Sequence, residues 1–177
     1  IKKLKDINQL DNTLIIFTSD NGPTYTGGAD TQYFDSANPF KTELGWAKGF
    51  VNEGGIRVPM IASWPTMIKA GSKSNQISAF QDMIPTFCDI IGIDIPANMD
   101  GISIKPTLLG NLQKVKHNYL YWEFPAYKGQ QAVRMGKWKG IRKNIFEGKD
   151  QDMILMKPEQ LSDLENQLSS DNDDQSI

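Results

Sequence analysis

The feature that most constrains this chain is a short unbroken apolar run, Leu14-Ile15-Ile16-Phe17, followed at once by Thr18-Ser19-Asp20-Asn21-Gly22-Pro23. Consecutive apolar, partly β-branched side chains point to both faces of a strand. Such a run suits a strand covered on both sides, as in a parallel sheet flanked by helices. The Asp-Asn-Gly-Pro sequence stops it. Ahead of the run, Ile1, Leu4, Ile7 and Leu10 fall on one face of a helix expected to end near Gln9, with a turn at Asp11-Asn12. Helix, tight turn and buried strand make half of a βαβ unit. A chain that opens on Ile at the edge of a helix is expected to be a fragment or a processed piece.

The segment 24–55 is rich in Gly, Asn, Asp and Thr and has little periodicity. Loops of that length tend to be functional or disordered, and Tyr25, Tyr33, Phe34, Phe40, Trp46 and Phe50 argue for an ordered one. Residues 58–64 read as a second strand, framed by Pro59 and Pro65. Asp82 is placed to cap a helix that takes Pro85 in its first turn and stops at Gly92, with Ile84, Phe87, Cys88 and Ile91 as its buried face. After Pro96 the character changes. Residues 119–124 read as a strand, 131–134 and 137–142 as a hairpin turning at Met135-Gly136, and 152–156 as one more strand. Pro158 suits the first turn of a terminal helix with Leu161, Leu164 and Leu168 on one face, and the polar end from Ser169 is expected to fray. The expected fold class is α/β: the end of an α/β domain over 1–97, then a small antiparallel sheet with a C-terminal helix over 98–177.

Composition narrows the function. The 177 residues hold 19 Lys+Arg against 21 Asp+Glu, a net charge of −2, and no basic block, which argues against nucleic acid. No stretch approaches the ~20 apolar residues of a membrane-spanning helix, and Ile1-Lys2-Lys3-Leu4-Lys5 is not a secretory signal. A single cysteine, Cys88, excludes an internal disulfide framework. A single histidine, His117, means that a mechanism needing two cannot be completed by this chain.

Ligands of open α/β sheets bind at the carboxyl ends of the strands, where Asp20 and Asn21 would project. A carboxylate beside a side-chain amide offers hard oxygens to Ca²⁺ or Mg²⁺; the same residues also serve simply as turn formers. Two oxygen ligands fall short of the about six to eight that Ca²⁺ takes, so others would come from elsewhere. Lys48, in the Gly-rich Gly45-Trp46-Ala47-Lys48-Gly49 ahead of a strand, can meet an anion as a point charge or remain a solvated surface lysine. Glu53 and Arg57 are spaced to pair with each other and order the loop, a structural role.

In order and spacing, Thr18-Ser19-Asp20-Asn21-Gly22-Pro23, Lys48-Gly49, Glu53-Gly54-Gly55-Ile56-Arg57-Val58-Pro59 and Trp64-Pro65 closely resemble the formylglycine-dependent sulfatases of the arylsulfatase type. The resemblance continues through Asp82-Met83-Ile84-Pro85-Thr86, Ile91-Gly92, Asp100-Gly101-Ile102-Ser103 and Leu108-Leu109-Gly110. It then takes in Tyr121-Trp122-Glu123, Gln131-Ala132-Val133-Arg134 and Lys137-Trp138-Lys139, and so runs from about residue 10 to 143.

This resemblance implies the end of an alkaline-phosphatase-like α/β/α domain followed by a small antiparallel β-sheet subdomain with a C-terminal helix. It implies a sulfuric ester hydrolase. Asp20 and Asn21 match two metal ligands of the family, for Ca²⁺ or, alternatively, Mg²⁺. Lys48 matches the lysine that contacts the sulfate, a catalytic and substrate-binding position. In the family a cysteine or serine within Cys/Ser-x-Pro/Ala-x-Arg becomes formylglycine. Its hydrate attacks sulfur, the alcohol leaves, and the sulfated intermediate collapses to release sulfate. A cation and a lysine beside the sulfate oxygens suit that charge redistribution.

That nucleophile is expected upstream, since Cys88-Asp89-Ile90-Ile91-Gly92 does not match the pattern and Cys88 is expected in the core. The family's two further aspartates and two histidines are not visible either, and His117 matches no catalytic position and is expected at the surface. The chain is therefore expected to be inactive alone. The implied partners are a sulfated small molecule or glycan and the remainder of a sulfatase chain, with no nucleic acid and no membrane span. The implied location is the periplasm, the extracellular space or the lysosome. The alternatives are a phosphate or phosphonate ester hydrolase of the same superfamily, and a non-catalytic carbohydrate-binding or interaction module that uses the aromatics of 24–50.

Overall fold

A computed structural model describes residues 1–25, 28–42, 44–147 and 154–156; the expected helix after Pro158 and the polar end lie outside them. In chain order the helices are α1 (Lys2–Asp6), α2 (Thr31–Phe34), α3 (Glu53–Ile56), α4 (Met83–Ile91) and α5 (Lys105–Leu108). The strands are β1 (Ile15–Thr18), β2 (Met60–Ser63), β3 (Leu120–Phe124), β4 (Gln130–Met135), β5 (Trp138–Lys143) and β6 (Ile154–Met156). Contacts divide them into two units, one of Ile1–Thr18 and Met60–His117, the other of the described residues of Ser19–Pro59 and Asn118–Ile177.

In the first unit, α1, a 3-10 turn at Leu10–Asn12 and β1 follow one another where the sequence predicts helix, turn and strand. The indole of Trp64 and the hydroxyl of Thr66 both donate to the carbonyl of Asp11, at 3.0 and 2.8 Å, and tie the exit of β2 to that turn. The strand environment differs from the expectation. β1 pairs antiparallel with β2, Ile15 opposite Ser63 and Thr18 opposite Met60, and Phe17 is 67% exposed. Among the described residues no other strand hydrogen-bonds to either edge of the pair.

Helix α4 begins after Asp82, carries Pro85 in its first turn and ends at Gly92 in the left-handed conformation, as predicted. Its buried side does not match. Cys88 is buried, but Ile84, Phe87 and Ile91 are exposed, and Pro85 and Thr86 are buried instead. The reason is polar. Thr86 Oγ1 donates to the carbonyl of Asp82 (2.6 Å) and accepts the N–H of Ile104 (2.9 Å), while Asp89 accepts from Ser103 Oγ (2.6 Å) and Lys105 Nζ (3.1 Å). The helix is thus fastened by this side to 102–105. Its apolar side lines a groove of about 680 Å³ with Leu14, Ile16 and Trp64.

Asp82 is the hub of this unit. Against the expected cap, its side chain makes no hydrogen bond to the first turn of α4. Oδ2 accepts the N–H of Ala79 (2.8 Å), Oδ1 accepts that of Ile102 (2.9 Å), and Oδ1 lies 2.7 Å from His117 Nε2. His117 is therefore not the surface residue its polar neighbours imply. Lys116 and Asn118 are exposed while the ring between them reaches in to the buried carboxylate. Asp82→Ala leaves two backbone donors and the imidazole without an acceptor. We expect it to cost about 3 kcal/mol or more, read from urea denaturation.

In the second unit, β3, β4, β5 and β6 form an antiparallel meander in that order, and the β4–β5 hairpin turns at Gly136-Lys137, one residue later than the expected Met135-Gly136. Val51 packs with Ala132, Ile141 and Trp122, and Gln130 bridges to the loop, donating to the carbonyl of Gly49 (3.0 Å) and accepting the N–H of Val51 (3.4 Å). Of the loop aromatics, Phe50 stacks on Tyr127 with ring centroids 4.9 Å apart, whereas Tyr33 and Phe34 are exposed, against the expectation that they order the loop.

Beneath α3 lies a buried charge cluster. Glu53 meets Arg57 at 3.6 Å, the expected pair, and also Lys139 at 2.5 Å and Arg134 at 3.5 Å. Burial pushes the Glu53 carboxyl up, but Lys139, Arg134 and Arg57 pull harder, and the net position is below its ordinary 4.5. Lys139 is pushed down by its own burial against the pull of Glu53. A carboxyl held low in the fold stabilises it above its unfolded pKa, and that contribution is lost as pH falls through the folded value. Unfolding free energy measured from neutral pH downward should therefore decline below about 4.5, and Glu53→Gln should flatten that decline. At neutral pH Glu53→Gln leaves Lys139 buried without its partner, an expected loss of about 3–5 kcal/mol.

Candidate functional site

Asp20 and Asn21 follow β1 directly in the chain, and the turn after it is built by side chain and backbone together. Ser19 Oγ donates to the carbonyl of Asn21 (2.8 Å), and Asn21 Nδ2 donates to the carbonyl of Gly22 (2.9 Å). The amide of Asn21 thus uses its nitrogen locally, which leaves Oδ1 as the acceptor end of the side chain. The Asp20 carboxylate is exposed.

Two backbone hydrogen bonds fasten this turn to the segment that carries Lys48. Gly22 N–H donates to the carbonyl of Gly55 (2.9 Å), and Lys48 N–H donates to the carbonyl of Pro23 (2.9 Å). The approach is closer than any side chain allows. A Cβ on Gly22 would sit 1.7 Å from the Gly54 carbonyl oxygen, one on Gly54 2.0 Å from that of Lys41, and one on Gly55 2.1 Å from that of Phe50. The Gly54-Gly55 pair is where three backbone segments pass one another. Lys48 itself is exposed, between the buried Ala47 and Val51 that anchor its loop.

The structure therefore brings the Asp20-Asn21 turn and the Lys48 loop together through their main chains. Among the described residues, no group of three or more His, Cys, Asp or Glu side chains gathers into a metal cage. Cys88 is buried, as expected of a core residue, and His117 belongs to the Asp82 hub. Sequence reasoning found the Glu53–Arg57 pair but missed Lys139 and Arg134. The available signal was a lysine at an inward position of β5, between Trp138 and Gly140, where a charge needs a buried partner.

Known proteins carry the same arrangement of sequence. The family model for the C-terminal region of N-sulphoglucosamine sulphohydrolase matches residues 42–156. An N-acetylglucosamine-6-O-sulfatase of Bacteroides thetaiotaomicron is 37% identical over 150 residues, 81% of this chain and 23% of that protein. Human arylsulfatase A is 33% identical over 139 residues, 76% of this chain and 25% of that protein. The fold superposes with a TM-score of 0.68 and 26% identity on a protein solved in complex with its substrate D-glucosamine-2-N,6-O-disulfate, covering 97% of this chain and 36% of that one. The chain thus spans about a quarter of the length of the curated relatives it matches. With the family model covering most of the described residues, and sulfatases among the relatives in sequence, the chain belongs to the sulfatase family, as its carboxyl-terminal region.

Proposed function

We propose that the polypeptide carrying this chain hydrolyses sulfate esters, and that this region supplies a sulfate-binding lysine and two metal ligands to the reaction. The observation that carries the reading is the Lys48–Pro23 main-chain bond, which holds the lysine loop against the Asp20-Asn21 turn. Asp20 and the amide oxygen of Asn21 are the hard oxygen donors that Ca²⁺ or Mg²⁺ takes, and they fit a partial site whose other ligands come from outside the described residues. A bound divalent cation would neutralise charge on the sulfate oxygens. Lys48 would meet the same oxygens as an exposed ammonium on an anchored loop, orient the ester and stabilise charge that shifts toward the leaving alcohol. The nucleophile pattern is absent from this sequence, so in this reading the chain alone does not turn over substrate.

The substrate class we propose is a sulfated glycan or small sulfate ester, in the periplasm, the extracellular space or the lysosome. In the whole protein, residues 1–97 would complete an α/β domain and 98–177 a smaller subdomain, and the remaining polypeptide would cover the apolar groove between β1 and α4.

In the full-length polypeptide, Lys48→Ala should lower kcat for a sulfate ester by about 10²–10³-fold. Asp20→Ala should weaken Ca²⁺ binding in calorimetry along with activity. A phosphate ester turned over faster than its sulfate counterpart would reject the sulfatase reading. Gly22→Ala, which drives a Cβ into the Gly54 carbonyl, should cost about 1–3 kcal/mol of stability and displace the Asp20-Asn21 turn, so that metal affinity falls although no ligand has changed.

A further inference from the structure

Among the described residues, six other than glycine hold a positive φ. Asn8, Asp35, Asn98 and Asn144 are of the types whose short polar side chains tolerate the left-handed region. Tyr127 (φ 51°) and Lys128 (φ 70°) are not of those types, and they are consecutive, with Gly129 following at 81°. Bulky residues persist there only where their surroundings hold them. A turn between two strands does not itself call for a tyrosine, since Asn or Gly makes the same connection with less strain.

The surroundings are specific. Gly129 N–H donates to the carbonyl of Ala126 (3.2 Å), Ile145 N–H to that of Gly129 (3.3 Å) and Phe146 N–H to that of Lys128 (3.0 Å). Lys128 Nζ is ion-paired with Glu147. With the backbone so fixed, the Tyr127 ring, 59% exposed, lies over the chain immediately after Lys48. It stacks on Phe50 with the ring planes 15° apart, and its Cε2 stands 2.8 Å from where a Cβ on Gly49 would sit. Gln130, three residues on, grips the same segment by its backbone, donating to the carbonyl of Gly49 (3.0 Å) and accepting the N–H of Val51 (3.4 Å). Ring and amide, both within the second unit, thus hold the three residues that follow Lys48.

We propose that Tyr127 is a positioning residue for Lys48. Its ring, kept in place by the strained turn between β3 and β4, sets the Gly49-Phe50 main chain and so the point from which the exposed lysine reaches substrate. A tyrosine held where asparagine would sit more easily is there for its ring. The inference rests on the sulfate-ester reading above and deepens it, because it adds a residue of the antiparallel sheet to the machinery that presents Lys48.

The test uses the full-length polypeptide with 4-nitrophenyl sulfate as the probe ester. Tyr127→Asn keeps a residue that accepts the left-handed backbone and removes the ring, whereas Tyr127→Phe keeps the ring. Tyr127→Asn should lower kcat about tenfold and leave KM within about twofold, the pattern of a group misplaced in the transition state. Its melting temperature should stay near that of the wild type, which separates positioning from a merely structural role. Tyr127→Phe should keep kcat within about twofold of the wild type. On a Lys48→Ala background Tyr127→Asn should lower kcat no further, since residues that act through one group are not additive. Hydrogen exchange at the amides of 49–51 should quicken in Tyr127→Asn, which reads the loop without turnover. An unchanged kcat in Tyr127→Asn, or a loss of the same size when Lys48 is already gone, overturns the proposal. Failure of the sulfate-ester reading looks different: Lys48→Ala leaves turnover unchanged, and exchange at 49–51 still decides whether Tyr127 holds the loop.

Discussion

The second unit is organised around one carboxylate. Glu53 sits at the start of a four-residue helix that would not stand on its own, since a single turn carries the nucleation cost without the propagation gain. Lys139 and Arg134 hold it from neighbouring strands, and Arg57 holds it from the end of the same turn. Three cations meet this one carboxylate, and buried ion pairs are weak sources of net stability. Their strength here is positional. A misplaced Glu53 would leave Lys139 buried and uncompensated, so the cluster penalises every alternative seating of the 53–57 turn on the sheet.

That fixed turn in turn fixes the loops above it. Gly54 and Gly55 lie next to Glu53, and the Gly22, Lys41 and Phe50 backbones press against them at distances that exclude a Cβ. The main-chain bonds from Gly22 to Gly55 and from Lys48 to Pro23 then follow. The charge cluster, the glycine contacts and the two backbone bonds form one chain of dependence from a buried strand lysine to the exposed Lys48. The side chains proposed to act on substrate are not themselves pinned by packing. Their backbones are, which is how an exposed group can be placed accurately without being buried.

Much of this was legible in the sequence. The boundaries of α4 could be read because Pro85 and Gly92 act through backbone geometry, which needs no knowledge of neighbours. The hairpin over β4 and β5 could be read for the same reason. The Glu53–Arg57 pair is a local i, i+4 contact. What could not be read depends on partners distant in the chain. The exposed side of α4 was misassigned because four apolar residues on one face predict burial, while Thr86 and Asp89 found polar partners at 102–105 and fastened the other face. His117 was misassigned because its neighbours are polar, and only the fold brings Asp82 within 2.7 Å of its ring. Lys139 escaped notice because a lysine in a strand reads as solvent-facing until a carboxylate is known to lie opposite.

Lysines of the second unit show how one side chain type takes different roles by surroundings alone. Lys139 is fully enclosed and matched by Glu53, and its charge is used up within the fold. Lys48 is exposed, on a loop anchored by the buried Ala47 and Val51. Lys143 lies between them, half-buried, donating to the carbonyl of Gly45 and facing the rings of Trp46 and Phe50. The graded burial along one face of β5, from Lys139 to Lys143, therefore grades how far each ammonium is committed to the fold: wholly at the enclosed end, in part where the strand emerges beside Trp46.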